Sequence, residues 1–208
     1  MKKLTCLLLG GVLLTSACEQ AQKTKQAYDN LAKLKDAGEN IENTLDAAKA
    51  QREEREKRGD TLSLPYKELQ TYLPAEISGF TAGNPEGQSK KMGGFAFSTA
   101  SREFTKDSVT IITELIDYNG AHDMYQGAAA MFALGMESEN DEELVKSTSL
   151  GIEGASGMEN FHKKDGRAQL TLTLGGRFMV RVDADKQKDL SLVESVAKQI
   201  DLKKLAKL

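Results

Sequence analysis

The chain has 208 residues, 28 basic and 31 acidic side chains for a formal net charge of −3, a 39% hydrophobic content and no tryptophan. That length accommodates one ordinary domain and an additional segment, but not two full domains. A net acidic chain lacks the clustered basic side chains that neutralise phosphates, so nucleic acid is not expected as a partner.

Lys2 and Lys3 precede an apolar run from Leu4 through Leu14, and the small residues Thr15, Ser16 and Ala17 follow. This is the three-part pattern of a secretory signal, with a run too short for an ordinary membrane span. Both cysteines, Cys6 and Cys18, fall in this region. Removal of residues 1 to 17 takes Cys6 away and leaves 26 basic against 31 acidic residues, with no internal disulfide to support the fold.

Leu14-Thr15-Ser16-Ala17-Cys18 resembles the lipobox of bacterial lipoproteins. The resemblance implies cleavage before Cys18 and lipidation of Cys18 by acyl chains such as palmitate. Each buried methylene contributes ~0.8 kcal/mol, so two or three chains make a durable membrane anchor. Glu19, where the enteric sorting rule of that family places Asp for inner-membrane retention, implies delivery to the outer membrane, facing the periplasm.

From Glu19 to Arg58 the chain has no proline and one glycine, and Ala, Lys, Glu, Gln and Asp dominate, a helix-forming composition. Leu31, Leu34, Gly38, Ile41, Leu45 and Ala48 recur at spacings of three and four, a narrow seam of coiled-coil type that gives way to the charged run Arg52 to Arg58. The expected organisation is therefore a removed signal (1–17), a lipidated cysteine with a helical tether (18–60), and a globular domain (62–208) that folds without the tether. The tether is read as a solvated helix, with a self-associating or partner-binding stalk as the other reading.

Within the domain, Pro65 suits the first turn of a short helix, and the stretch from Gly79 to Gly94, with its glycines and Pro85, reads as a loop. Strand patterns cover 95–104 and 108–117, the second apolar on both faces and so central in a sheet. Asn119-Gly120 is read as a turn into a helix over 121–134 that places Tyr125, Ala128 and Phe132 on one stripe.

Four more strands are predicted at 143–150, 157–163, 167–173 and 177–183. A two-residue turn at Asp165-Gly166 would pair Phe161 with Leu170, and a three-residue turn Leu174-Gly175-Gly176 would pair Leu172 with Phe178. Ser191 with Glu194 has the form of a capping box, and Asp201 of a cap on a last turn. The fold class is α+β, an antiparallel sheet of about six strands covered by helices. This order, with the run Gly175 to Val180 leading into a closing helix, resembles the Mog1/PsbP-like fold, which implies a binding or assembly module.

The chain carries two histidines, His122 and His162, and no zinc, phosphate-loop or dinucleotide pattern, so no catalytic residue, metal or cofactor is expected. His122-Asp123 reads as a polar pair at a helix start. The acidic run Glu137 to Glu143 lacks the glycine and spacing of a calcium loop and reads as a solvated loop, calcium remaining the competing reading. The two predicted hairpin registers align His162, Gln169 and Arg181 in one polar row, the candidate ligand-binding face. The functional expectation is a non-enzymatic, lipid-anchored binding or assembly module of the cell envelope. The alternative is a structural spacer that oligomerises or contacts the cell wall through residues 19–58.

Overall fold

The computed structural model describes the backbone from Thr15 to Leu208 and side chains from Lys35 onward. The expected signal segment, the expected lipidation site Cys18 and seam residues Leu31 and Leu34 have side chains outside that range. Residues divide into two units, one ending at Glu39 and a compact one from Asn40 to Leu208. In the first, helix α1 (Thr15–Lys57) begins; its last turns belong to the second. No helix among the described residues is long and apolar enough to cross a membrane.

The compact unit is α+β, and its strands among the described residues form one nine-stranded antiparallel sheet rather than one of six. After the short helix α2 (Tyr66–Leu69) come β1 (Thr81–Ala82), β2 (Glu86–Met92), β3 (Phe95–Lys106) and β4 (Val109–Gly120). Helix α3 (His122–Ala133) then carries the chain to the far edge, where β5 (Ser138–Glu139) begins a meander through β6 (Glu143–Thr148), β7 (Ser156–His162), β8 (Arg167–Leu174) and β9 (Phe178–Ala184). The meander ends with β9 beside β4, which puts β4 in the interior of the sheet, between β3 and β9. Helices α4 (Ser191–Ala197) and α5 (Leu202–Leu205) close the chain.

The three extra strands are the short β1 and β5 and the wholly exposed β2, which holds on to the edge of β3. An edge strand covered on neither face needs no apolar alternation, so the polar, glycine-rich stretch 79–94 gave no strand signal. Asn119-Gly120 also differs from expectation. It is the end of β4, with Gly120 paired to Ala96, and the chain turns after it.

Alternation sorts the sheet into two faces. Leu170, Leu172 and Leu174 of β8 and Phe178, Val180 and Val182 of β9 join Ile111 and Leu115 of β4 in the main core, which α2, α4 and α5 cover with Leu69, Val193, Val196 and Leu205. On the other face Tyr125 and Ala129 of α3 pack with Ala48 of α1 and with Tyr118. Among the core residues lies Glu159, 1% exposed, paired to Lys146 Nζ at 2.7 Å; Lys146 also bonds Glu194 of α4 at 3.0 Å. Glu194 is thereby drawn away from the capping box expected with Ser191, whose amide is held by Asp189 instead. Asp201 does cap α5, accepting from Lys204 N.

Both hairpin registers slide by two residues from those predicted. Phe161 faces Ala168, and Leu172 faces Val180. A two-residue slide preserves the faces, so the predicted core residues are buried although their partners differ. The first loop is lengthened to residues 163–166, where Gly166 donates to the carbonyl of His162 and its own carbonyl accepts from Gln187. In the second, the loop is Gly175-Gly176-Arg177, because Arg177 is pulled inward.

Arg177 is 1% exposed and grips Asp117, itself without exposure: Nε to Oδ1 at 2.9 Å and Nη2 to Oδ2 at 2.6 Å. Asp60 accepts from its remaining Nη1 at 2.8 Å. Asn119 donates to the carbonyls of Asp60 and Leu62 and accepts from Arg55 Nε at 2.9 Å. Arg55, on the last turns of α1, donates further to the carbonyls of Gly175 and Gly176 at 2.9 and 3.0 Å. Two guanidinium groups and two carboxylates thus neutralise one another, with Arg55, Asp117 and Arg177 buried and Asp60 partly exposed. Burial first, then Arg177, pulls the Arg55 guanidinium below the ordinary arginine range, and Asp60 and Asp117 oppose that.

The expected boundary at residue 62 therefore falls inside the compact unit, which begins at Asn40. Ala48 and Arg55 of the expected tether are buried. Gly176, at φ +62°, accepts this helix closely, since an added Cβ would lie 2.6 Å from Gln51 Oε1 and 3.1 Å from Ala48 O.

Two outcomes follow. Arg55→Ala leaves Asn119 and two turn carbonyls without their donor and removes one of two balancing cations, so urea denaturation should show a loss of ~3 kcal/mol, the lower end for breaking a buried charged group. Arg58→Ala, three residues on and exposed, should change stability by ~0.5 kcal/mol at most. A fragment of residues 40–208 should unfold cooperatively, whereas 62–208, without Ala48, Arg55 and Asp60, should have a lower midpoint or be molten by near-ultraviolet circular dichroism.

Candidate functional site

Helix α1 carries two parallel stripes in the compact unit. Ile41, Leu45, Ala48 and Arg55 lie on the stripe turned to the domain, the last two of them buried. Beside it, Asn40, Asn43, Thr44, Ala47 and Gln51 form an uncharged stripe at helical spacing. That second stripe is one wall of a cleft of about 520 Å³.

The opposite wall is Ser147, Thr148 and Ser149 at the end of β6, with Gly154, Ala155 and Ser156 leading into β7. Tyr125, Phe132 and Ala133 of α3, with Gly157 and Gly176, form the floor. The volume lies within the ~300 to 1,000 Å³ common for small-ligand sites. The lining residues bear amides, hydroxyls, two aromatic rings and small side chains, and none bears a formal charge at neutral pH. Burial pushes the Tyr125 phenol up to about 12, so it too is neutral there.

Ser156 and Thr173 exchange hydroxyl contacts at 3.1 Å, and Ser147 Oγ donates to Met136 O at 3.1 Å, which fixes two of the wall hydroxyls. Amides and hydroxyls both donate and accept, so the cleft can satisfy uncharged polar groups. It has no adjacent nucleophile and base of the kind acyl transfer requires.

The row predicted for His162, Gln169 and Arg181 is staggered by the slid registers. His162 faces Arg167, Gln169 faces Asp183, and Arg181 faces Thr171. Gln169 Nε2 donates to Asp183 Oδ1 at 2.7 Å, and Arg181 Nε lies 2.6 Å from Asp183 Oδ2. Asp183 thus collects Gln169 and Arg181, while His162 stands apart near Glu143 at 3.9 Å. The acidic run 137–143 meets the hairpin that follows β7, with Glu139 bonded to Lys163 and Glu142 to Lys164. Among the described residues, no group of three or more His, Cys, Asp or Glu side chains is arranged to hold a metal ion.

His122 is buried at the start of α3, its ring stacked beside Tyr125 at 6.2 Å between centroids and its Nε2 without a hydrogen-bond partner. Burial, then Arg52 and Arg55, lowers its pKa below the ordinary 6.5. The neutral ring is favoured in the folded state, so as pH falls below 6.5 the unfolded chain binds a proton that the folded one resists. Its stabilising contribution is complete above 6.5 and is lost as pH drops toward the depressed folded value. Thermal midpoints measured from about pH 7.5 to about pH 5.5 should fall, and His122→Phe should flatten that fall; an equally steep fall in the variant would assign it to other groups.

Compared with protein-family models, curated proteins and solved structures, the chain matches none.

Proposed function

We propose that this chain is a lipid-anchored protein of the bacterial envelope whose compact unit, Asn40 to Leu208, is a non-enzymatic binding module with the α1–α3–β6 cleft as its ligand site. The anchoring half of this reading rests on Leu14 to Cys18 and on Glu19, which favours an outer-membrane address facing the periplasm. The binding half rests on one observation: a cleft of ligand size lined by small apolar side chains and two aromatic rings, with amides and hydroxyls among them and no charged group. Uncharged walls orient a ligand by hydrogen bonds and supply no charged group for acid–base chemistry.

The spacer alternative draws on residues 19–58 for self-association. Its seam is already occupied within the chain at Ala48, and Arg55 at its continuation is buried too, which favours the binding module.

Cys18→Ala tests the anchor. In growing bacteria the variant should lose incorporation of labelled palmitate and move from the membrane fraction to the soluble periplasmic or precursor pool. Unchanged membrane retention with no label in either protein would defeat the lipoprotein reading.

A further inference from the structure

We infer that the tip of the β2–β3 hairpin, Lys90 to Phe95, is a membrane-contact element that seats Met92 and Phe95 in the interface of an anionic phospholipid bilayer. The inference rests on the anchored reading, which holds the chain at a bilayer, and none of these residues lines the cleft.

The first argument is the build of the tip. Gly93 and Gly94 sit at φ +58° and +88°, the left-handed region, so a two-residue turn joins Met92 to Phe95 as direct partners. Among the described residues, nothing lies within 4 Å of the place a Cβ would take on either glycine, which leaves the turn clear of the rest of the compact unit. Behind it Lys91 faces Ala96 and Lys90 faces Phe97, whose ring lies 6.3 Å from that of Tyr118 on β4. The hairpin is therefore fixed at its base and open at its turn.

The second argument is side-chain type. Met92, 82% exposed, is the one apolar side chain of an edge strand otherwise written in Glu, Gly, Gln, Ser and Lys, and Phe95 opposite it is 49% exposed. Direct partners share a face, so thioether and ring form one apolar knob. A solvated turn gains nothing from such a pair, whereas side chains of this kind form the buried side of interfacial membrane elements.

The third argument is charge, which selects the bilayer and its sign. Lys90 lies on the face of the knob and Lys91 on the reverse, so a cation stands behind it on each side. From Gly87 to Arg102 no residue is acidic, in a chain with 31 acidic side chains. Lysine stems run along apolar surface while their ammonium groups reach polar headgroups, and each lysine near an anionic surface strengthens binding about fivefold. A protein partner needs a broader patch, since a stable interface buries about 800 Å² a side, far more than two side chains at a turn offer.

The chain has no tryptophan, so Phe95→Trp supplies a single fluorescent reporter at the tip. The full chain carrying it, purified from bacterial membranes in detergent, is reconstituted on vesicles with brominated acyl chains, either phosphatidylethanolamine with phosphatidylglycerol or phosphatidylcholine alone. Sedimentation reports attachment and the indole reports the tip. Emission should move to the blue and be quenched on the anionic vesicles; phosphatidylcholine, or Lys90→Glu with Lys91→Glu, should abolish the quenching. Met92→Trp should give the same result, so the test does not depend on how one substitution affects folding. An indole that stays in water on sedimented vesicles would overturn the inference and leave the anchor standing. Quenching indifferent to lipid charge and to the lysines would overturn the anionic assignment, and shielding by soluble envelope proteins but not by vesicles would give the tip to a protein instead. Failure to sediment would overturn the anchored reading and the inference together.

Discussion

Asp117 is a carboxylate without solvent exposure in the middle of the sheet, and the architecture around it follows from the need to neutralise it. Arg177 meets it with two parallel hydrogen bonds from one guanidinium edge, a geometry that lysine lacks. Asp117 accepts further from the backbone amides of Leu64 and Asn119. Those bonds tie the chain entering the domain, the central strand and the β8–β9 turn to one point. A buried pair of this kind adds little over a well-packed apolar pair, but loss of one partner is costly, so its effect is greatest on register and connection. Here it sets Arg177 as the third loop residue and thereby fixes Leu174 opposite Phe178.

Arg55 extends that constraint to α1. Its guanidinium bonds the carbonyls of both turn glycines and Asn119, and the helix can approach only because Gly176 has no Cβ. The helix is thereby held where its neutral stripe faces Ser147 to Ser149 across the cleft. The position of the proposed site thus depends on the buried charge network: Arg55, together with Ala48 packed on Tyr125 and Ala129, holds the helix that forms one wall of the cleft.

What could be read in the sequence divides along physical lines. Strands with period-two apolar alternation, β7 through β9, and the helix carrying Tyr125 and Phe132 were legible because their burial is written in side-chain type. The faces of the two hairpins were legible for the same reason. The exact pairs were not, since turn residues alone do not reveal that Arg177 is drawn to a carboxylate sixty residues earlier in the chain. The polar edge strand β2 carried no alternation to find.

The cleft was missed for a related reason. Arg55 sits in an unbroken charged run, Arg52 to Arg58, which has the composition of a solvated helix, and nothing local distinguishes the one guanidinium that is buried. A signal was nonetheless present. In a helix otherwise dense in charge, Asn40, Asn43, Thr44, Ala47 and Gln51 make a neutral stripe beside the seam, and the seam itself continues through Arg52 to Arg55 at spacings of four and three.

The central claim is that the last turns of α1 are part of the domain's cooperative core. Native-state hydrogen exchange tests it directly, by comparing amides of Ala48 to Arg55 with those of Leu115 to Asp117 on β4. If the account holds, both sets exchange only through global unfolding, with the same opening free energy and the same dependence on denaturant. Exchange of the helix amides by local fraying, while β4 stays protected, would contradict it.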